Sequence, residues 1–170
     1  MPPWRIDIDE RPAVRRLLPL AELARVAARA LTAAAPPSPA SIGLVLSDDA
    51  QLAELNERHM GRPEPTDVLS FPLLELSVSA AAEHHEPVFS LPPGQRLHLG
   101  DIVVSVERAI EQAEMGRGGQ TGNVTWSPAD ELRLLVVHGV LHVCGWDHAD
   151  THAEASMRAL ERRILDSEDA

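Results

Sequence analysis

His138, His142 and His148 stand in the stretch HGVLHVCGWDH, separated by three and then five residues. An interval of four on a helix puts His138 above His142, with Cβ atoms about 5–6 Å apart. Each ring can then turn one nitrogen toward a common point about 2.0–2.1 Å from a zinc ion. The third ligand has to come from beyond the helix. Gly145 supplies the means, because glycine readily takes the left-handed conformation that ends a helix and lets the chain turn back with His148. Three neutral imidazoles leave a fourth position open, which is the arrangement of a catalytic zinc site and not of a closed structural one. A zinc peptidase carries a glutamate directly after the first histidine of such a pair. Here that position is Gly139.

The missing acid bears on the chemistry. Zinc lowers the pKa of bound water toward about 7, so hydroxide is available near neutral pH with little help from a base. An RNA substrate offers a further route, because its own 2′-hydroxyl can attack the adjacent phosphodiester while a metal neutralises the charge that develops. A peptidase must also protonate a leaving amine. The absence of a glutamate therefore tips the balance toward phosphodiester chemistry. Asp147 and Asp101 are candidates to orient a ligand histidine or to act as a weak base, although Asp101, after Gly100 in a strand, can instead bond locally. Cys144 is two positions past His142 on the helix, faces roughly the other way, and reads as a small buried hydrophobe.

The elements that must position these residues follow from pattern. Trp4, Ile6 and Ile8 alternate with charged residues and predict a half-buried strand. LAELARVAARALTAAA is built from strong helix formers and is closed by Pro36 and Pro37. SIGLVLS reads as a strand, and Ser47 or Asp48 as the cap of a helix over DDAQLAELNERHM, which Gly61 and Pro63 stop. DVLSFPL is a strand whose Pro72 suits a sheet edge or a strand end. Residues 75–97 carry proline and small residues without a sustained period and read as a long variable loop, whose His84 and His85 read as ordinary surface histidines. HLGDIVVSV is the next strand and VERAIEQAEMG the next helix.

GRGGQTGNVTW is glycine-rich but lacks the strand-then-helix context of a phosphate-binding loop, so it reads as a linker. The helix that carries His138 and His142 opens with a clear signal: Ser127 as cap, Pro128 at the first helical position and Asp130 where a capping box places an acid. From Leu132 to Val143 it is apolar nearly all round, which predicts burial. A glycine inside such a helix costs about 1 kcal/mol against alanine, so Gly139 predicts that something approaches closely there. THAEASMRALERRIL is a last helix ahead of an acidic tail. Strands and helices in this order predict an α+β fold with a small mixed β-sheet packed with helices and the zinc site on the penultimate helix.

With 170 residues, 44% of them hydrophobic, one globular domain over 1–170 is the expectation. The formal charge of −11 argues against coating nucleic acid by bulk electrostatics, so if RNA is a partner the contact has to be local. No apolar run approaches the length of a membrane span, and no basic tip with an apolar run opens the sequence, which points to the cytoplasm. A lone Cys144 leaves no internal disulfide.

HGVLHVCGWDH, with PTDVLSFP and LGDIVVS in that order along the chain, resembles the YbeY family of bacterial metal-dependent endoribonucleases, also described as ribosomal RNA maturation factors. The likeness covers roughly Ile42 to Leu165. It implies an α+β fold, one zinc ion held by His138, His142 and His148, and cleavage of single-stranded RNA, including the end of small-subunit ribosomal RNA. Ribosome quality control and contact with small-subunit ribosomal proteins come with it, and DNA and membranes do not. The family commonly has an arginine immediately before the glycine that leads into the PT segment, and holds it catalytic. Here Met60 occupies that position, between Arg58 and Arg62. Arg62, in the loop, is the candidate to supply the guanidinium. Two other readings stay open: a zinc peptidase of metzincin type, and a non-catalytic ribosome-associated module whose zinc pins the last helix.

Overall fold

In a computed structural model, which describes residues 2–76, 91–115 and 126–167, strands and helices come in nearly the predicted order. The elements are β1 (Trp4–Glu10), α1 (Leu20–Ala34), β2 (Ala40–Ser47), α2 (Asp49–Met60), β3 (Val68–Pro72), β4 (Leu97–Ser105), α3 (Val106–Glu114), α4 (Pro128–Val143) and α5 (Thr151–Asp166). The four strands form one mixed sheet in the order β1-β2-β4-β3. β1, β2 and β4 run parallel, and β3 is antiparallel to β4. The fold is therefore α+β, as the sequence predicts.

Pro72 lies at the end of the edge strand, opposite Gly100, where a missing backbone N–H costs the ladder least. Asp48 caps α2, its side chain accepting from the Gln51 N–H at 2.9 Å, and Gly61 ends that helix with φ of 70°. Several boundaries differ from the sequence reading by a residue or two. Leu97, assigned to the variable loop, opens β4, because it pairs with Ala40 of β2. Val106, shared by the strand and helix readings, opens α3, because the Ser105 hydroxyl accepts from the Arg108 N–H at 3.2 Å and starts the helix there. His84 and His85, and the linker at 116–125, lie outside the described residues.

The sheet separates two apolar regions. Ile42, Leu44 and Leu46 of β2 and Ile102 and Val104 of β4 are buried together with α1 and α4 in the larger one. On the other side Leu52 of α2 packs with Leu69 and Val103. α5 lies against α1 and α4 and adds Met157, Leu160 and Ile164 to the main core. α4 is thus enclosed by the sheet, α1, α3 and α5. That enclosure explains why its sequence is apolar on nearly every face.

Candidate metal centre

The capping box at the start of α4 is complete: the Ser127 hydroxyl accepts from the Asp130 N–H at 3.1 Å and the Asp130 carboxylate accepts from the Ser127 N–H at 2.9 Å. Such a cap contributes about 1 kcal/mol and sets the helix register fifteen residues upstream of His142. Trp126 adds a bond from its indole N–H to the buried Glu131 at 2.7 Å. At the other end Gly145, with φ of 95°, donates to the His142 carbonyl at 3.0 Å, and Trp146 donates to the Leu141 carbonyl at 2.9 Å. This is the left-handed helix ending the sequence predicts. The chain reverses there and brings His148 back over the last turn.

One ring nitrogen from each of His138, His142 and His148 lies within 4.8 Å of the others, and among the described residues this is the group of histidine, cysteine or acidic side chains that can hold a metal ion. The Nε2 atoms of His138 and His142 are 2.9 Å apart. Two ligand nitrogens on one tetrahedral zinc stand about 3.3 Å apart, from bonds of about 2.0–2.1 Å. The first pair is therefore already near its bound spacing.

The other side of each ring shows which nitrogen carries hydrogen. Nδ1 of His138 is 2.6 Å from Oε1 of Glu161, a residue of α5 that is 8% exposed. An imidazole N–H donated to that carboxylate leaves Nε2 as a lone pair. The ring of His142 hydrogen-bonds the backbone of Trp146. That bond likewise uses one nitrogen and turns the lone pair of the other toward His138. Two lone pairs facing each other at this distance repel unless a cation lies between them. Burial, and then the charges of His138 and His148, push the His142 pKa below its ordinary value, which favours the neutral form that a metal takes. The donor set fits a bound zinc.

The acids named from sequence do other things. Asp101 accepts from or pairs with His98 through Nε2 at 3.1 Å, and His98 in turn meets the Ser41 hydroxyl through Nδ1 at 3.0 Å. That chain of bonds ties β4 to β2 and does not involve the three histidines. Asp147 accepts the His148 backbone N–H at 2.6 Å and so shapes the loop, while its carboxylate is 3.7 Å from the His148 ring. Glu161 is the acid that orients a ring of the cluster, and nothing in its sequence surroundings marks it out. Cys144 is buried in the core, and burial pushes its thiol up to about 12. It belongs with the hydrophobes, as its helical position predicts.

Gly139 faces the sheet. A Cβ there would stand 2.6 Å from Cγ2 of Ile102 and 3.3 Å from Cγ2 of Val68. The Ser70 hydroxyl also donates to the Gly139 carbonyl at 3.2 Å, fixing the edge strand against α4. The helix approaches β3 and β4 this closely because the side chain is a hydrogen. Arg62 is exposed just past Gly61, and its guanidinium has no hydrogen bond or ion pair among the described residues, whereas that of Arg58 is bound to Glu54 at 2.8 Å.

Comparison with known proteins gives this arrangement a family. A family model described as Endoribonuclease YbeY matches residues 13–168. The chain belongs to that family. Curated YbeY endoribonucleases are similar over most of its length: one from Dehalococcoides mccartyi is 31% identical, over 94% of this chain and 92% of the relative. Those of Symbiobacterium thermophilum and Moorella thermoacetica are each 40% identical, over 83% and 86% of this chain and 81% and 84% of theirs. Among solved structures, the solution structure of a Thermotoga maritima protein superposes with a TM-score of 0.59 at 22% identity, over 95% of this chain and 87% of that one. That likeness shows the shared fold. Membership of the YbeY family makes the chain an endoribonuclease by class, with a histidine cluster able to hold the metal such an enzyme uses.

Proposed function

We propose that this protein is a zinc-dependent endoribonuclease specific for single-stranded RNA. It acts in the cytoplasm on small-subunit ribosomal RNA, in maturation of that RNA and in ribosome quality control, as one domain over residues 1–170. One observation carries the reading: three imidazoles converge where the position beside the first of them has no room for a peptidase glutamate. In this proposal His138, His142 and His148 hold one zinc ion per chain, and when bound the ion supplies a Lewis acid for a phosphodiester.

The chain's own groups do the rest. Glu161 takes the Nδ1 hydrogen of His138 and so holds the ring in the tautomer that presents Nε2. Arg62 brings a guanidinium to the non-bridging phosphate oxygens, a role for which its guanidinium, without an ion pair among the described residues, suits it better than that of Arg58. RNA is the partner, and small-subunit ribosomal proteins are met through it. DNA and membrane are not partners, and among the described residues no helix is long and apolar enough to cross a membrane.

The test compares substrates on folded, metal-loaded protein. Single-stranded RNA is cleaved, a chelator stops the cleavage and zinc restores it, while duplex RNA and casein stay intact. Cleavage of casein would establish the peptidase reading. An intact fold with zinc bound and turnover of neither would leave the non-catalytic ribosomal module.

Two variants probe the roles. Glu161→Gln keeps the size and loses the charge that orders His138, so metal affinity is expected to fall about 10–100-fold, read by competition with a chelator. Unchanged affinity would reduce Glu161 to a packing residue. Arg62→Ala is expected to slow RNA cleavage more than Arg58→Ala, whose side chain is spent on a surface ion pair with Glu54. Greater sensitivity at Arg58 would move the catalytic guanidinium back by one helical turn.

A further inference from the structure

A concave surface lies in the helical layer, lined by none of the three histidines. Between α1 and α5 runs a groove of about 1030 Å³, with Arg25, Arg29, Arg163 and Glu22 as its charged residues and Leu160 and Ile164 on its floor. Glu22 is ion-paired with Arg133, which also pairs with Asp130 at 3.0 Å, so one acidic group remains at the edge of the groove. The hydroxyls of Thr32 and Ser167, also in the lining, donate to the carbonyls of Ala28 and Ile164 in their own helices. Arg25 and Arg163 are exposed, and their guanidinium groups have no hydrogen bond or ion pair among the described residues. Arg25 and Arg29 are four residues apart on α1 and so share a face. Against a formal charge of −11 for the whole chain, a local cationic groove stands out as a place for an anion.

The geometry points to this groove as a seat for the phosphodiester backbone of single-stranded RNA, beyond the bond that is cut. The inference rests on the reading of the chain as an RNA-cleaving enzyme. Guanidinium groups match phosphate oxygens in planar, two-pronged contacts. The volume is at the upper end of what encloses a small ligand, so it suits a length of chain better than a single ion. A membrane surface cannot enter a concave groove between two helices. Ala28 and Ala33 add small apolar side chains to the lining, while Leu160 and Ile164 are buried in the core. α5 also ties the two sites together: Glu161 reaches His138 from one side of the helix, and Arg163, two residues on, faces the groove. A helix is about 10–12 Å across with its side chains, so one extended strand can meet both.

The experiment uses the full chain and two single-stranded RNAs of the same scissile sequence, one short and one extended well beyond it. The double variant Arg25→Gln with Arg163→Gln is compared with the wild type and with Arg25→Lys/Arg163→Lys. For the long RNA the dependence of log affinity on log salt is expected to become shallower by about 1.4, at about 0.7 for each phosphate that is no longer neutralised. Affinity at low salt falls on the order of tenfold, KM rises and kcat is unchanged. The short RNA is cut as before, and the lysine pair keeps most of the salt slope because it keeps the charges. Equal slope and KM for wild type and glutamine variant on the long RNA would overturn the assignment, as would an acidic peptide that binds the groove in preference to RNA. If the wild type cleaves no RNA at all, the parent reading falls and takes the groove's occupant with it. If the wild type cleaves both RNAs alike and the variant is unaltered, the groove alone is wrong.

Discussion

Alanine at His138, His142 or His148 is expected to take the protein from one bound zinc to almost none, and RNA cleavage is expected to fall by on the order of a thousandfold or more with the loss of transition-state charge stabilisation. Elemental analysis and single-turnover cleavage read the two effects. His84→Ala and His85→Ala leave the stoichiometry unchanged, and an equal loss from that pair would sink the ligand assignment. Stability separates the three ligand variants from one another. The His148 side chain is 54% exposed, so its removal leaves no buried group stranded. Removing the His138 ring deprives the Glu161 carboxylate, 10% exposed, of its partner, a loss of about 1–3 kcal/mol for a buried acceptor. His138→Ala therefore melts lower than His148→Ala in metal-free buffer, although both fail to hold zinc.

Gly139→Glu is expected to unfold the protein and not to make a peptidase. Even a methyl group at this position meets the buried Ile102 at 2.6 Å, and overpacking of that kind costs about 1–3 kcal/mol against a gain of about 1 kcal/mol in helix propensity. A glutamate adds a charge with no partner where α4 packs on the sheet, and such a group costs several kcal/mol more. That sum approaches the whole stability of an ordinary domain, about 5–15 kcal/mol. Circular dichroism and thermal melting follow the outcome, with Gly139→Ala as the milder step. A folded, zinc-loaded Gly139→Glu protein that cuts casein would reverse both the packing account and the choice of substrate class. From sequence alone the position is the one at which a zinc peptidase sets its glutamate beside the first ligand. The structure turns it toward β3 and β4 instead.

That contrast shows what can be read in the chain. The histidine interval, the capping box at Ser127 and the turn at Gly145 are local features, each decided within a few residues, and local chemistry is legible in sequence. Pro72 announces an edge strand for the same reason. Glu161 is not legible. It stands in LERRIL, where a charge between Leu160 and Arg162 reads as part of a solvated face, and only the packing of α5 on α4 buries it against His138. Asp101 misleads in the opposite direction: its place beside a motif glycine suggests the metal centre, yet β4 presents it to His98 on its own strand. Gly139 signals a close approach, but which element approaches depends on the order of strands in the sheet, and no interval along the chain encodes that.

The packing of α5 on α4 also orders events in time. All four strands end by Ser105, whereas the three histidines and the glutamate behind them are spread over residues 138–161. Synthesis delivers a chain from its N-terminus at about 5–20 residues per second. The sheet is therefore complete in covalent terms while every metal-binding side chain is still to be made, and the group that sets the first imidazole arrives after all three. A ribosome that stalls before α5 releases a polypeptide with its scaffold but without a finished metal centre. For an enzyme whose class of substrate surrounds it during translation, the cutting function is the last thing the chain acquires.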